Sequence, residues 1–225
     1  MFTGIIEAVG TIKAININGQ GARLVIATNQ LDMSDVKLGD SIATNGICLT
    51  VVDYDNASNN GSYSADVSNE TLKRTGFAHY NVGMQVNLEK AMLASTRFGG
   101  HIVSGHVDGV SEVLSISNNG NSIEYWLSIP NDLAHYIAEK GSVTVDGTSL
   151  TVNSLADGKF RLTIVPHTVK ETIFAHYKVG TKVNLEVDLI ARYLERLLTK
   201  ESGTDTTAPK SHVTESLLQK AGFIK

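Results

Sequence analysis

Two histidines in a glycine-rich run are the first residues of this sequence whose types and spacing suggest chemistry. The run, Phe98-Gly-Gly-His-Ile-Val-Ser-Gly-His-Val-Asp-Gly109, contains His101 and His106. Glycines let a backbone approach a ligand closely, and imidazole groups transfer protons near neutral pH. The pair is five residues apart with no third ligand nearby, which does not match a zinc site. The alternative is that both histidines are structural.

A cysteine and a serine occupy matched places in two similar motifs. Asn45-Gly-Ile-Cys-Leu-Thr-Val51 returns as Asp146-Gly-Thr-Ser-Leu-Thr-Val152. Cys48 and Ser149 therefore each follow a tight Asn-Gly or Asp-Gly turn. A polar group at such a turn is well placed to line a pocket, and a buried, inert small residue is the alternative.

These motifs belong to a tandem duplication. The longest matched block, residues 77–89, returns at 174–186 with ten of thirteen positions identical. Residues 4–9 likewise match 105–110. We therefore predict two similar domains with two similar pockets. We expect the chemistry where the copies differ, at Cys48 against Ser149 and at Ile5 against His106, and we interpret the longest block as scaffold.

Composition narrows the class of protein. The chain has 225 residues, a net charge of −4 and a pI near 6.0, which gives no electrostatic case for binding nucleic acid or an anionic membrane. The sequence shows no signal-peptide pattern, and no stretch approaches the ~20 apolar residues of a membrane span. One cysteine excludes an internal disulfide. We expect a soluble, cytoplasmic protein.

Short apolar or alternating segments between Asn-Gly and Asp-Gly pairs predict antiparallel strands and tight turns. They cover residues 22–27, 41–43, 48–52, 61–65 and 85–89, then 122–128, 142–145, 149–152, 159–164 and 182–186. About six strands per copy are typical of a small closed barrel or sandwich. Short helices are predicted at 29–36 and 131–138, and at 70–75 and 169–174. An amphipathic helix at 189–198 has no counterpart and serves either its own domain or self-association.

In their order and combination, these motifs resemble the riboflavin synthase α-chain family from Met1 to about Leu198. The resemblance implies an all-β fold of two tandem six-stranded Greek-key β-barrels plus a C-terminal α-helix. It places the first lumazine-binding barrel at residues 1–97 and the second at 98–187. A trimerisation helix follows at 188–200, and a linker and tail at 201–225.

The resemblance also implies a reaction. Two molecules of 6,7-dimethyl-8-ribityllumazine bind in one active site, and one gives a four-carbon unit to the other. The products are riboflavin and 5-amino-6-(D-ribitylamino)uracil, and no cofactor or metal ion is implied. The active site lies between the first barrel of one subunit and the second barrel of its neighbour in a homotrimer. Lumazine synthase is a candidate further partner.

Roles are carried over to the positions that match the family's motifs. The candidate catalytic residues are Cys48, His106, Lys140, Ser149, Thr151 and Asp188. The expected substrate-binding residues of the first barrel are Gly4, Ile5, Ile6, Ser41, Cys48, Leu49, Thr50, Asp66, Val67, Ser68, Asn69, Glu70 and Thr71. Those of the second barrel are Gly105, His106, Val107, Lys140, Ser149, Leu150, Thr151, Ile164, Val165, Pro166, His167, Thr168 and Val169. Residues 4–6 are expected to close the first pocket, and residues 105–107 belong to the second.

Two other functions compete with the enzyme. A non-catalytic protein of the same fold would hold a lumazine or flavin without converting it, but such relatives usually lose parts of the second-barrel motifs that are intact here. A flavin reductase built on a similar barrel would need a nucleotide-binding α/β domain after the barrel, and this sequence lacks one.

Overall fold

The structure, a computed structural model, describes residues 1–19, 21–28, 30–56, 61–201 and 219. Met1–Arg192 form one compact unit and Tyr193–Lys225 a second. The linker and tail predicted at 201–225 lie outside the described residues, apart from residues 201 and 219.

The first copy forms a closed antiparallel barrel. Its strands are β1 (Ala8–Asn18), β2 (Gly21–Ala27), β3 (Ser41–Thr44), β4 (Ile47–Asp55), β5 (Ser62–Ser68) and β6 (Gln85–Lys90), in the order β1-β2-β5-β4-β3-β6. Strands β3, β4 and β5 form a meander and β6 returns beside β3, which is a Greek key. Helix α1 (Asn69–Arg74) and the 3₁₀ helix Gly76–His79 make that return connection. Alternation along β5 turns Tyr63, Ala65 and Val67 into the core.

The second copy repeats this order with one strand broken. Its strands are β7 (Gly109–Asn118), β8 (Ile123–Ser128), β9 (Ser142–Val145), β10 (Thr148–Thr151), β11 (Ser154–Ala156), β12 (Lys159–Ile164) and β13 (Lys182–Val187). The order β10-β9-β13-β7-β8-β12-β11 equals that of the first barrel, with β10 and β11 together in the place of β4. At the break, Oδ1 of Asn153 accepts a hydrogen bond from the Thr163 amide at 2.7 Å, so a side chain replaces a backbone partner.

The remaining helices are short. The 3₁₀ helix Asn131–Tyr136 precedes β9, and α2 (Pro166–Glu171) with the 3₁₀ helix Ile173–His176 precedes β13. Helix α3 spans Leu189–Glu201. The helix predicted at 29–36 is wrong for the described residues 30–36, which form turns and bends. There, Oδ1 of Asp32 accepts from the Ser34 amide at 2.9 Å, a local bond that competes with a helix.

The barrels meet through matched residues of the two copies. Phe2 and Val103, which are counterparts in the repeat, exchange backbone hydrogen bonds of 2.8 and 3.1 Å. Nδ2 of Asn87 donates to the Asp146 carbonyl, and Nδ2 of Asn184 donates to the Asn45 carbonyl, each at 2.8 Å. Because Asn87 and Asn184 lie in the longest repeated block, that block builds the barrel interface.

One pair at this interface differs between the copies. The Tyr177 hydroxyl donates to Oδ2 of the buried Asp146 at 2.5 Å, whereas the first copy has Asn45 at the matching position. Oδ1 of Asp146 also accepts from the Asn184 amide at 2.8 Å. Burial raises the pKa of Asp146 from 3.8 to about 7, although both hydrogen bonds oppose this change.

Candidate active site

Ser149 and His101 form the pair with the clearest chemical potential. Nδ1 of His101 lies 2.7 Å from Oγ of Ser149, and Nε2 lies 3.2 Å from Oγ1 of Thr144. Ser149 is the second residue of β10 and Thr144 its partner on β9, so the sheet fixes both hydroxyls. The imidazole is held from both sides and is only 8% exposed.

The environment keeps this imidazole neutral. Burial lowers the pKa of His101 below its usual value of 6.5, and the charge of Asp188 partly opposes the change. A neutral imidazole can accept a proton from, or through, the serine hydroxyl. The first barrel differs here, since Cys48 replaces Ser149 and Ala43, its partner on β3, replaces Thr144.

Each barrel is contacted by a segment from the other copy. The Ser149 amide donates to the Gly4 carbonyl at 2.8 Å, and the Cys48 amide donates to the Gly105 carbonyl at 2.8 Å. Val107 also packs against the core of the first barrel. Residues 4–6 were expected at the first pocket and residues 105–107 at the second, but within this chain the Gly4 carbonyl contacts the second barrel and the Gly105 carbonyl contacts the first.

His106 lies in the segment that contacts the first barrel. It is exposed and lines a separate cavity of about 360 Å³ with Val107, Arg74 and Arg192. His106 therefore does not belong with Ser149 within one chain. His101, five residues earlier in the same glycine-rich run, is a candidate site residue that the sequence-based prediction missed. The run itself was the available signal.

The second barrel contains a pocket at this pair. It measures about 370 Å³ and is lined by Ser149, Leu150, Thr151, Asn153, Thr163, Ile164, Val165 and Thr168. That size is within the usual range for a small-molecule site. The predicted Ile164 is buried in the barrel core, and Val169 packs against that core. The predicted Pro166 and His167 are exposed at the start of α2.

The matching positions of the first barrel surround Cys48. Ser41 and Thr50 face each other across β3 and β4, while Leu49 and Val67 point into the core. Several of the other predicted residues have structural partners within this barrel. Asp66 binds Arg23 through both carboxylate oxygens, Glu70 binds Arg74, and the Ser68 hydroxyl caps α1 by accepting from the Thr71 amide. Asn69 is the first residue of α1.

Lys140 has an unusual backbone conformation. Its φ of 67° is left-handed, a conformation that costs a non-glycine residue about 1–2 kcal/mol. The matched residue of the first copy is Gly39, with a φ of 90°. Both amides make the same hydrogen bond, to Val152 and Val51 respectively. Because glycine would be unstrained at this position, the Lys140 side chain stays a candidate for a role at the site.

Asp188 lies between the barrel and α3. Its Oδ1 accepts from the Ile190 amide at 2.9 Å, so it caps the N-terminus of α3. Its charge also acts on His101, as the pKa of that residue shows. The family resemblance implied a role for Asp188 at this boundary, and the structure adds its electrostatic effect on the imidazole.

The described part of the chain has neither a membrane-spanning helix nor a cluster of metal-binding side chains. Its helices are all too short or too polar to span a membrane. Its His, Cys, Asp and Glu side chains form no group of three or more with the geometry to hold a metal ion.

Comparison with known proteins shows which family the chain resembles. The model of the lumazine binding domain matches residues 3–91 and 104–188. A riboflavin synthase of Photobacterium phosphoreum is 55% identical over 224 residues, which is 100% of both chains. A riboflavin synthase of Actinobacillus pleuropneumoniae is 46% identical, covering 99% of this chain and 100% of the relative. LumP complexed with riboflavin has a TM-score of 0.76 at 25% identity, covering 83% of this chain and 99% of that one.

The duplicated fold and the match of the family model to both copies thus define a protein of two tandem lumazine-binding domains. Identity over the whole chain narrows the class further. The chain belongs to the riboflavin synthase family.

Proposed function

We propose that this chain converts two molecules of 6,7-dimethyl-8-ribityllumazine into riboflavin and 5-amino-6-(D-ribitylamino)uracil by transfer of a four-carbon unit. The observation that carries the proposal is that Ser149, which is hydrogen-bonded to His101, lines a pocket of about 370 Å³ in a chain of this family. Two related pockets suit a reaction that consumes two identical molecules. Holding both molecules in place can remove about 7–11 kcal/mol from the barrier.

The reaction needs proton transfer, which the second barrel can provide. The C7 methyl group of one lumazine must lose a proton to become a nucleophile. Ser149 lines the pocket and hydrogen-bonds the neutral imidazole of His101. We assign His101 as the proton acceptor acting through, or beside, the Ser149 hydroxyl. Thr144 holds the other ring nitrogen and so orients the imidazole.

Lys140 and Thr151 complete the catalytic set at this pocket. Thr151 lines the pocket directly. The Lys140 amide donates to the carbonyl of Val152, the residue after Thr151. The flexible side chain of Lys140 therefore starts close to Thr151. We assign it to stabilise negative charge that develops on the bound pteridine. The first barrel, with Cys48 and Thr50 at matched positions, holds the second lumazine.

The assembly is proposed as a homotrimer in which the first barrel of one subunit faces the second barrel of its neighbour. Five side chains of α3, namely Ile190, Tyr193, Leu194, Leu197 and Leu198, are 53–66% exposed. An exposed apolar face of this kind is typical of an interaction surface. His106 and Cys48, which lie with the first barrel, would then meet Ser149 of a neighbouring chain.

The conversion assay tests this function. Purified full-length chain is incubated with 6,7-dimethyl-8-ribityllumazine, and riboflavin absorbance is followed beside a Ser149→Ala variant. We expect catalytic riboflavin formation by the wild type and a much lower rate for the variant. Stoichiometric binding without riboflavin formation would contradict the enzyme and support a carrier of lumazine.

A further inference from the structure

Two buried glutamates hold the segments that cross between the barrels. Oε1 of Glu89, on β6, accepts from the Thr3 amide at 2.7 Å and the Thr3 hydroxyl at 2.8 Å, and Oε2 accepts from the Gly4 amide at 2.9 Å. Glu89 is 3% exposed. Three donors converge on one carboxylate, so the start of the chain is fixed relative to β6.

Glu186, on β13, repeats the arrangement in the second copy. Oε1 accepts from the Ser104 amide and hydroxyl, both at 2.7 Å, and Oε2 accepts from the Gly105 amide at 3.1 Å. Its exposed fraction is 4%. Burial raises the pKa of both glutamates, and the hydrogen bonds from Thr3 and Ser104 oppose that change.

The glycines held in this way touch the opposite pockets closely. A side chain at Gly4 would place its Cβ 2.5 Å from Cβ of Ser149, and one at Gly105 would place it 2.6 Å from Cβ of Cys48. Both glycines have positive φ, 76° and 80°. Each carbonyl accepts from the amide of the residue that it covers. Small shifts of either segment must therefore move the wall of the pocket it closes.

We propose that Glu89 and Glu186 are positioning residues with crossed action, each belonging to one barrel and shaping the pocket of the other. Glu89 of the first barrel sets the Ser149 pocket, and Glu186 of the second barrel sets the Cys48 pocket. This inference deepens the proposed function, because it takes the lumazine or flavin proposed above as the ligand of both pockets. Its consequence is that each pocket closes only when the opposite barrel is correctly folded.

Cys48 provides a reporter for the first pocket because it is the single thiol of the chain. Its alkylation by iodoacetamide is measured in the full-length protein, with and without riboflavin as the probe ligand. In Glu186→Gln the amide nitrogen faces the Gly105 N–H, so we expect riboflavin to protect Cys48 about tenfold less well, as for one lost buried hydrogen bond. Glu89→Gln should leave protection near the wild-type value.

A transferred reporter tests the opposite pocket. The double variant Cys48→Ser with Ser149→Cys moves the thiol to the second barrel, where Glu89→Gln should weaken protection and Glu186→Gln should not. Glu7→Gln is the matched control, since Glu7 accepts only the Lys90 amide at 2.9 Å. Glu89→Asp and Glu186→Asp keep both acceptor oxygens and should recover part of the protection.

If the Glu→Gln variants fold poorly, two milder variants test the same contacts. Ser104→Ala and Thr3→Ala each remove one hydroxyl donor and should reproduce the crossed pattern more weakly. Equal effects on both pockets, or effects confined to the glutamate's own barrel, would overturn the proposal. Failure of the proposed function would instead appear as absence of riboflavin formation from the lumazine, with the crossed protection pattern intact.

Discussion

The Ser149 hydroxyl oxygen lies 2.7 Å from Nδ1 of His101, and the Ser149 amide donates at 2.8 Å to the carbonyl of Gly4 from the other copy. One residue thus joins the proton-transfer pair of the second barrel to the segment that arrives from the first. The site around Ser149 is therefore built by residues of both repeats.

Removal of the imidazole should reduce catalysis more than binding. His101→Asn is expected to lower kcat by about 10²–10³-fold, because a positioned acid–base group contributes on this scale, with riboflavin affinity within a few-fold of wild type. His79→Asn is the control, since His79 is exposed in the scaffold block. Steady-state kinetics measure kcat for both variants. A kcat of His101→Asn within twofold of wild type would show that His101 has no catalytic role.

The protonation state of His101 should shape the acid side of the pH profile. Burial lowers its pKa below 6.5, so the neutral form persists through neutral pH and is lost only on acidification below that value. Activity should therefore fall as the pH drops below about 6.5. A kcat profile from pH 5 to 8 checks this, with His101→Asn losing that limb. An unchanged acid limb in the variant would assign the limb to another group.

Lys140 should lower the free energy of unfolding relative to glycine at the same position. Lys140→Gly relieves a left-handed conformation and should raise the free energy of unfolding by about 0.5–1 kcal/mol. The same change should lower turnover by about tenfold or more, because a charged donor is lost. Gly39→Ala, at the matched turn with a φ of 90°, should destabilise instead. Urea denaturation with parallel assays is the measurement. A Lys140→Gly variant with full activity would show that the lysine only fills the turn.

Asp146 should make stability depend on pH in a defined window. Its pKa is raised from 3.8 to about 7, so its stabilising contribution is complete below 3.8 and is lost as the pH rises to about 7. Between pH 5 and 8 the stability of wild type relative to Asp146→Asn should fall by about 2–3 kcal/mol. Asparagine fits because Asn45 accepts from the Asn87 amide at 2.7 Å at the matched position. Urea denaturation at both pH values tests this, with the exposed Asp157→Asn as control. A constant difference would place the ionisation of Asp146 outside the window.

The apolar face of α3 should govern assembly. Leu194 and Leu197 are 53% and 65% exposed, so replacing both by Asp should convert trimers to monomers and lower specific activity. Thr199→Ser is the control, because the exposed Thr199 lies on the opposite side of the same helix by its periodicity. Sedimentation velocity is the readout. Trimers that persist in the double variant would reject this helix as the assembly element.

The repeat in the sequence predicted much of this fold for a physical reason. Turn pairs and alternating residues act locally, so ten strands were located and both copies were expected to form barrels. Strands β1, β7 and β11 were missed. Asn153 interrupts the fourth strand of the second barrel by accepting from the Thr163 amide, an effect that depends on a neighbouring strand ten residues along the chain.

The crossing of the segments could not be predicted in the same way. The repeat shows that Gly4 corresponds to Gly105, but it does not say which barrel either carbonyl will meet. That outcome depends on the mutual pairing of Phe2 with Val103 and on the buried glutamates that hold the segments. The sequence could not distinguish His101 from His106 for the same reason, because both lie in one motif and only tertiary contacts separate them.

The central claim is that two bound lumazines react with each other in one active site. Its most direct test is the product balance of the full-length protein supplied only with 6,7-dimethyl-8-ribityllumazine, with substrate and both products quantified by chromatography. We expect two lumazines to disappear for each riboflavin formed, with one 5-amino-6-(D-ribitylamino)uracil released alongside it. Riboflavin formed without the pyrimidine, or binding without conversion, would contradict it.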